Sequence, residues 1–191
     1  MKSNPQLDKA LQNLAVGFGN LAPMTTKLSI QDALSEVSEI NYEGNQTLRL
    51  QRLGAVAIKD LMAQFAKAGT VDDYKLIALA LTRLHDLQVR DYAMGLTNSE
   101  NIDQSFNFWH WLLQIAPTGF IAPVAAIFST VAYESGENQL AQRSLDQAFT
   151  DQSDYPLAKL LRRVYSAGWP PQSFAAMRAE LHPKVCATLF G

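Results

Sequence analysis

The sequence holds a single cysteine, Cys186, among 191 residues, which excludes an internal disulfide. Disulfide-dependent domains are mostly secreted, and a lack of disulfides is typical of a reducing compartment. The N-terminus also lacks the basic, apolar and small-residue order of a secretory signal. Residues 5–16 instead predict an amphipathic helix with Leu7, Leu11 and Leu14 on one side. We therefore expect a cytoplasmic protein.

Recognisable catalytic motifs are missing. The three histidines, His85, His110 and His182, are not spaced as pairs of metal ligands, and neither Cys-x-x-Cys nor His-Glu-x-x-His occurs. The sequence also lacks a Gly-x-Ser-x-Gly turn and a phosphate-binding loop. Cys186 has no flanking motif of a thiol nucleophile. We expect no cofactor and no metal, and the motifs give no positive indication of an enzyme.

Charged residues are absent from residues 104–133. A run of this kind raises the question of a membrane span, but Asn107, His110 and Pro117 interrupt it. The longest good apolar stretch, residues 119–133, is shorter than the roughly 20 residues that a spanning helix needs. The sequence therefore predicts two buried helices joined near Pro117, and no membrane partner.

Strand alternation with hairpin turns is absent as well, while helical periodicity runs through the chain. Residues 47–68 predict a long amphipathic helix, with Leu53, Ala57 and Leu61 on one side, that Gly69 ends. The sequence predicts an all-α single domain over 1–191, with about nine to eleven helices and short loops. Within it, 1–69 form N-terminal helices, 70–171 a helical core, and 172–191 a C-terminal helix and tail.

Three helices with sharp boundaries are predicted between residues 119 and 168. The first is apolar nearly all round, which is typical of a buried helix, and Gly136 ends it. The second begins near Asn138, and the third begins at Pro156, where the missing N–H is harmless. The third helix is amphipathic, with an apolar stripe that includes Leu160 and a second stripe that contains three basic residues.

The hairpin formed by the first two of these helices resembles the turn of a tetratricopeptide repeat. In that repeat small residues pack where two helices cross, and Gly136, Ala141, Leu145 and Ala148 have a similar spacing. A second copy at a period of about 34 residues is missing, and such arrays need at least about three repeats. The resemblance therefore implies one helical hairpin near residues 120–150.

Several segments between residues 77 and 171 have a more specific resemblance. They are Val89-Arg90-Asp91, Ala116-Pro117, Ala122-Pro123, the hairpin at 136–148, the run from Asp154 to Leu161, and Ala167-Gly168-Trp169-Pro170-Pro171. Together they are similar to the C-terminal region of DUF4192, an actinobacterial family of unknown function. Here Glu137 replaces the usual aspartate after Gly136, and Pro156 separates Tyr155 from Leu157. The resemblance implies a helical domain but assigns no functional residue.

A basic and aromatic surface is the leading candidate for function. The net charge is only −2, yet residues 155–191 contain five Lys or Arg residues and one Glu. Lys159, Arg162 and Arg163 recur on one side of the predicted third helix, and Trp169 follows it. Because Arg and Trp are favoured at interfaces, we expect a non-catalytic protein- or peptide-binding module that holds an acidic helix or tail. Weak, non-specific nucleic-acid binding through the three cations is an alternative.

The tripeptide Trp109-His110-Trp111 supports another alternative. His110 could be the polar anchor of an aromatic pocket in a small-molecule binder or an enzyme. On a helix, however, adjacent residues diverge by about 100°, so both tryptophans cannot share one narrow side with His110. Aromatic residues at helical spacing usually pack in a core. His85-Asp86 and Arg90-Asp91 place charges one turn apart, which predicts a local salt-bridge cluster at a helix junction, and the family resemblance implies an ion pair at Arg90-Asp91. The sequence does not identify a partner or an oligomeric state.

Overall fold

A computed structural model describes residues 24–191, which form nine α-helices and no strand. The helices are α1 (Met24–Ser35), α2 (Thr47–Ala68), α3 (Tyr74–Arg83), α4 (Leu87–Gly95), α5 (Ile102–Ile115), α6 (Ile121–Glu134), α7 (Asn138–Asp151), α8 (Pro156–Ser166) and α9 (Pro171–Phe190). The prediction of an all-α domain is confirmed. The helix predicted for residues 5–16 lies outside the described residues.

Helix α6 lies at the centre of the fold. Every residue from Ala122 to Tyr133 is buried, as its all-round apolar sequence predicts. Helices α5 and α7 pack along its two sides, and α8 packs against both α6 and α7. The charge-free part of the chain is therefore a buried helical pair. Between residues 24 and 191, no helix has the combined length and apolar character that crossing a bilayer requires.

The predicted hairpin is formed by α6 and α7. Gly136 joins the two helices with a φ of 83°, a left-handed conformation that glycine adopts without strain. Ser129 in α6 donates a hydrogen bond of 3.0 Å to the backbone oxygen of Ala141 in α7. Leu145 and Ala148 are buried on the same side of α7. Small residues thus allow the two helices to pack closely, as the sequence predicts.

The remaining helices surround this centre. Helices α1 and α2 pack on α3, α4 packs on α2, and α9 lies along α4. One core cluster joins residues of α1 to α9, so the described residues share a continuous interior. A small second cluster of Ala55, Tyr92 and Leu189 connects the end of α9 to α2 and α4.

Two apolar residues of the predicted stripes face solvent. Leu53 in α2 is 45% exposed, although Ala57 and Leu61 of the same stripe are buried. Leu160 in α8 is 57% exposed, while the neighbouring Leu161 is fully buried. A helical stripe broader than the partner surface cannot be covered completely, so its edge residues stay in contact with water. At Leu160 this edge lies beside the predicted basic stripe.

Candidate binding surface

Helix α8 separates a buried side from a basic, solvent-facing side. Pro156 occupies the first turn, as predicted, and Leu157, Leu161 and Tyr165 are buried against the core. Lys159 and Arg163, one helical turn apart, are exposed on the opposite side. Leu160 lies between them in the sequence and is exposed as well. One surface therefore combines two cations with an apolar side chain.

Arg162 differs from the other two cations because it is held by the protein itself. Its Nη2 lies 2.6 Å from Asp146 Oδ1 in α7. Its guanidinium also lies 5.3 Å from the centre of the Phe149 ring, in a cation–π contact. Within residues 24–191, Lys159 and Arg163 form no ion pair. Two of the three predicted cations are therefore available to a partner.

Trp169 adjoins this surface at the turn between α8 and α9. Gly168 has a φ of 68°, and the backbone N–H of Trp169 donates to the oxygen of Val164, which closes the end of α8. The Trp169 side chain is 44% exposed. We call Lys159, Leu160, Arg163 and Trp169 together the α8 face.

A stacked pair of tyrosines, Tyr133 and Tyr165, connects the α8 face to α6. Tyr165 stacks on Tyr133 with ring centres 4.1 Å apart, and its hydroxyl lies 3.0 Å from the hydroxyl of Ser129. Tyr133 donates a hydrogen bond to the backbone oxygen of Trp169. Burial raises the pKa of Tyr165 well above its usual value, so the phenol stays neutral. The α8 face is thus fixed to the centre of the fold.

The Trp109-His110-Trp111 segment lies within α5, among other aromatic residues. Trp109 is fully buried, whereas His110 and Trp111 are half-buried. The His110 ring lies 5.4 Å from that of Phe128, and its Nε2 lies 3.4 Å from Nε2 of Gln114, one turn along the helix. Burial lowers the pKa of His110, which favours its neutral form.

The two tryptophans contact different neighbours. Trp109 packs edge-on against Phe108, with ring centres 4.9 Å apart, while Trp111 lies 5.0 Å from Phe65 of α2. The Trp109 Nε1 is buried without a hydrogen-bond partner among the described residues. The segment has the character of an aromatic core with one polar edge at His110.

Polar groups that are distant in sequence meet at the start of α4. The buried Asp86 carboxylate accepts hydrogen bonds from the Val89 N–H, from Gln51 and from the Tyr42 hydroxyl. This arrangement caps α4 and ties the loop before α2 to it. One turn later, Arg90 and Asp91 form the predicted ion pair, with 2.8 Å between Nη2 and Oδ1. Although burial opposes its charge, the Asp91 carboxylate raises the pKa of Arg90.

Sequence reasoning missed an acidic groove between α1 and the start of α3. The groove has a volume of about 310 Å³ and is lined by Asp32, Glu36, Asp72 and Asp73, among others. Lys75 offsets part of this charge, with its Nζ 3.2 Å from Glu36 Oε2. Among residues 24–191, no group of three or more His, Cys, Asp or Glu side chains is arranged to hold a metal ion.

A cysteine–histidine contact in α9 was also missed. Cys186 Sγ lies 3.5 Å from His182 Nε2, because residues four apart share one side of a helix. Burial and the nearby positive charge of Arg178 lower the pKa of His182. The i, i+4 spacing was the signal that could have indicated this pair.

The architecture defines an all-helical protein with an exposed basic and apolar surface. A family model of DUF4192, a domain of unknown function, matches residues 23–172. The chain belongs to this family, and the match extends beyond the segments at 77–171 that first indicated it. Neither a curated protein nor a solved structure matches the chain.

Proposed function

We propose that the chain is a non-catalytic module that binds another protein through the α8 face. The partner is an acidic, amphipathic helix or tail. The observation that carries the proposal is the exposure of Leu160 on a helix with no acidic residue, beside two cations, Lys159 and Arg163, that form no ion pair with the described residues 24–191. The single cysteine supports a cytoplasmic setting, and the family resemblance supports an actinobacterial source.

Charge and apolar surface have separate roles in this proposal. Exposed cations such as Lys159 and Arg163 accelerate association with an acidic partner but add little affinity each. Leu160 and Trp169 supply the apolar area that a partner can remove from water. An acidic helix with an apolar residue flanked by carboxylates one turn apart would match both features.

Nucleic-acid binding through the same face is less well supported. Arg162 already pairs with Asp146, so about two phosphate contacts remain, and each changes the salt slope of log K by only about −0.9. The pocket alternative at His110 is less well supported too, since Phe106, Phe128 and Gln114 surround that imidazole. These neighbours of His110 do not supply the converging polar groups of a typical ligand site.

The test measures which protein is captured by each of three forms of the full chain, in the presence of nuclease. Wild type is compared with the Lys159→Glu/Arg163→Glu variant and with a matched control, Lys59→Glu/Lys67→Glu. The control reverses two exposed lysines of α2 and so makes the same change in net charge. We expect wild type and the control to retain the same protein, and the α8 variant to lose it.

Two further variants test the apolar part of the surface. Leu160→Ser and Trp169→Ala should each weaken the captured interaction by roughly 30-fold, as truncation of a side chain central to an interface costs about 2 kcal/mol. Equal binding by all of these chains would contradict the proposal. Retention that is seen only in a parallel capture without nuclease would favour the nucleic-acid alternative.

A further inference from the structure

The acidic groove between α1 and α3 carries charges that the rest of the described chain does not neutralise. Asp32 and Asp72 both line the groove and are exposed, and neither forms an ion pair within residues 24–191. The other two carboxylates of the groove already have partners, because Glu36 pairs with Lys75 and Asp73 caps α3. Two carboxylates therefore remain for a cationic partner.

An exposed leucine lies beside these carboxylates. Leu28 is 52% exposed and precedes Asp32 by four residues, so the two side chains share one side of α1. Ile30, on the other side of this helix, is fully buried. We call Leu28, Asp32 and Asp72 together the acidic face. It has the composition of the α8 face with the sign of the charge reversed, namely an exposed leucine near two charges without an ion pair.

The acidic face and the α8 face do not neutralise each other within one chain. Helix α8 packs on α6 and α7, whereas α1 packs on α3, and no ion pair within residues 24–191 joins the two faces. Other charges between helices are paired inside the chain. The buried Arg178 and Glu134 lie 2.5 Å apart between Nη2 and Oε2, and Arg162 pairs with Asp146. Those pairs need no second molecule, but the two faces still lack partners.

We propose that the acidic face of one copy of the chain binds the α8 face of a second copy. This inference rests on the proposed function, because it takes the α8 face as a protein-binding surface and names its occupant. The two cations of the α8 face oppose Asp32 and Asp72 of the other copy, which favours correct orientation and fast association. Leu28 and Leu160 remove apolar surface from water at the same contact. The second copy thus supplies the acidic helix with an exposed apolar side chain that the α8 face requires.

Such a contact has a defined symmetry and strength. It joins two different surfaces, so it is head-to-tail and leaves one unoccupied face of each kind at the two ends of the assembly. Further copies can add in the same way, unless the rotation between copies closes a ring. Exposed ion pairs contribute little each and are screened by salt. The association should therefore require a high protein concentration and weaken as the salt concentration rises.

The test follows the mass of the purified full chain by light scattering, at concentrations up to about 1 mM. Lys159→Glu/Arg163→Glu reverses the charge of the α8 face, and Asp32→Lys/Asp72→Lys reverses that of the acidic face. We expect the mass of wild type to rise above that of one chain. Each variant should need at least about tenfold more protein for the same rise, because like charges then face each other.

Two control chains separate the contact from a general effect of net charge. A chain with all four substitutions has the net charge of wild type, and its two faces are complementary again with the signs exchanged. It should associate as wild type does. Lys59→Glu/Lys67→Glu makes the same change in net charge as the α8 variant, at exposed positions of α2, and should also associate. Circular dichroism checks that each chain is helical.

Wild type also provides a measurement that needs no variant. Raising the salt concentration from about 0.05 M to about 0.5 M shortens the range of the charge interactions and should lower the mass at a fixed protein concentration. A mass that does not change with salt would overturn the inference. So would self-association that neither charge reversal weakens, or that the chain with four substitutions does not restore.

The second copy and the proposed function can fail separately. Wild type that stays at the mass of one chain up to about 1 mM would overturn the second copy as the occupant. Capture of a different protein that depends on Lys159 and Arg163 would then leave the proposed function standing. Reversal of the α8 face that changes neither self-association nor capture would contradict both.

Discussion

Gly54 marks a close approach of α2 to Arg83 of α3. A Cβ atom at this position would lie 2.6 Å from Arg83 Cβ and 2.8 Å from Arg83 Cγ. Those atoms form the base of a side chain that also donates to the backbone oxygen of Ser38, at 2.8 Å, so they cannot easily move away. Sequence alone gives no hint of this contact, because a glycine inside a helix simply lowers helix propensity.

We predict that Gly54→Ala destabilises the protein. Alanine should gain about 1 kcal/mol of helix propensity, but overpacking against Arg83 should cost about 1–3 kcal/mol, in the upper part of that range here. Urea unfolding should therefore show a net loss of about 1–2 kcal/mol. Ala63→Gly, at an exposed position of the same helix, is the control and should lose about 1 kcal/mol through propensity. A stabilised Gly54→Ala protein would contradict the contact.

Tyr42 makes the free energy of unfolding depend on pH in the alkaline range. Tyr42 is 64% exposed, yet partial desolvation of its phenol and the hydrogen bond to Asp86 raise its pKa from 10.0 to about 12. Because the folded-state pKa lies above the unfolded value, the stabilisation is fully present below pH 10. It is lost as the pH rises through about 12, where the folded phenol also ionises.

We therefore predict that Tyr42→Phe flattens the fall in unfolding free energy between pH 10 and 12. The measurement is urea unfolding at several pH values, with the difference between variant and wild type taken at each. Tyr92 and Tyr155 have raised pKa values as well, mainly through burial, so both proteins keep part of the dependence. A difference that does not change with pH would show that Tyr42 does not titrate in this way.

At the scale of helices, the ends that a nearby glycine or proline marks were predictable. Caps supplied by residues distant in sequence were not. The bounds Thr47–Ala68 and the first turn at Pro156 match the structure, because glycine and proline act within their own turn. The Asp151 carboxylate, however, accepts from the N–H groups of Gly119 and Ala122 at 2.6 and 2.9 Å. That cap of α6 comes from the far end of α7, which no local pattern reveals.

We predict that Asp151→Ala lowers stability by about 1–3 kcal/mol, because two donors at the start of α6 lose their acceptor. Asp151→Asn keeps one oxygen and should lose less. Urea unfolding of both variants measures this difference. Equal losses would indicate that the negative charge near the helix start matters more than the hydrogen bonds.

Across the whole molecule, the fold class could be predicted from the sequence, but the pairing of buried side chains could not. Helical periodicity and the charge-free segment are local signals, and they predicted an all-α domain in which α6 is a buried helix. Glu134 and Arg178 lie 44 residues apart, so their pairing depends on how α9 returns to α4. The exposure of Leu160 was not predictable, because an apolar stripe shows periodicity and not the width of the surface that covers it.

Charge changes at the α8 face should leave the stability of the fold unchanged. Lys159 and Arg163 have no ion pair within residues 24–191, so the Lys159→Glu/Arg163→Glu variant should keep its unfolding free energy to within about 0.5 kcal/mol. Urea unfolding of this variant and wild type provides the check. A much larger loss would mean that the two cations stabilise the fold.

Hydroxyl-radical footprinting of the chain with its captured partner tests the binding surface most directly, because it reports side-chain access to water. Leu160 and Trp169 are both exposed in the free chain, whereas Trp111 is half-buried at the edge of α5. Binding at the α8 face predicts that the partner slows oxidation of Leu160 and Trp169 and leaves Trp111 unchanged. Protection of Trp111, with Leu160 and Trp169 still oxidised at the free rate, would contradict it.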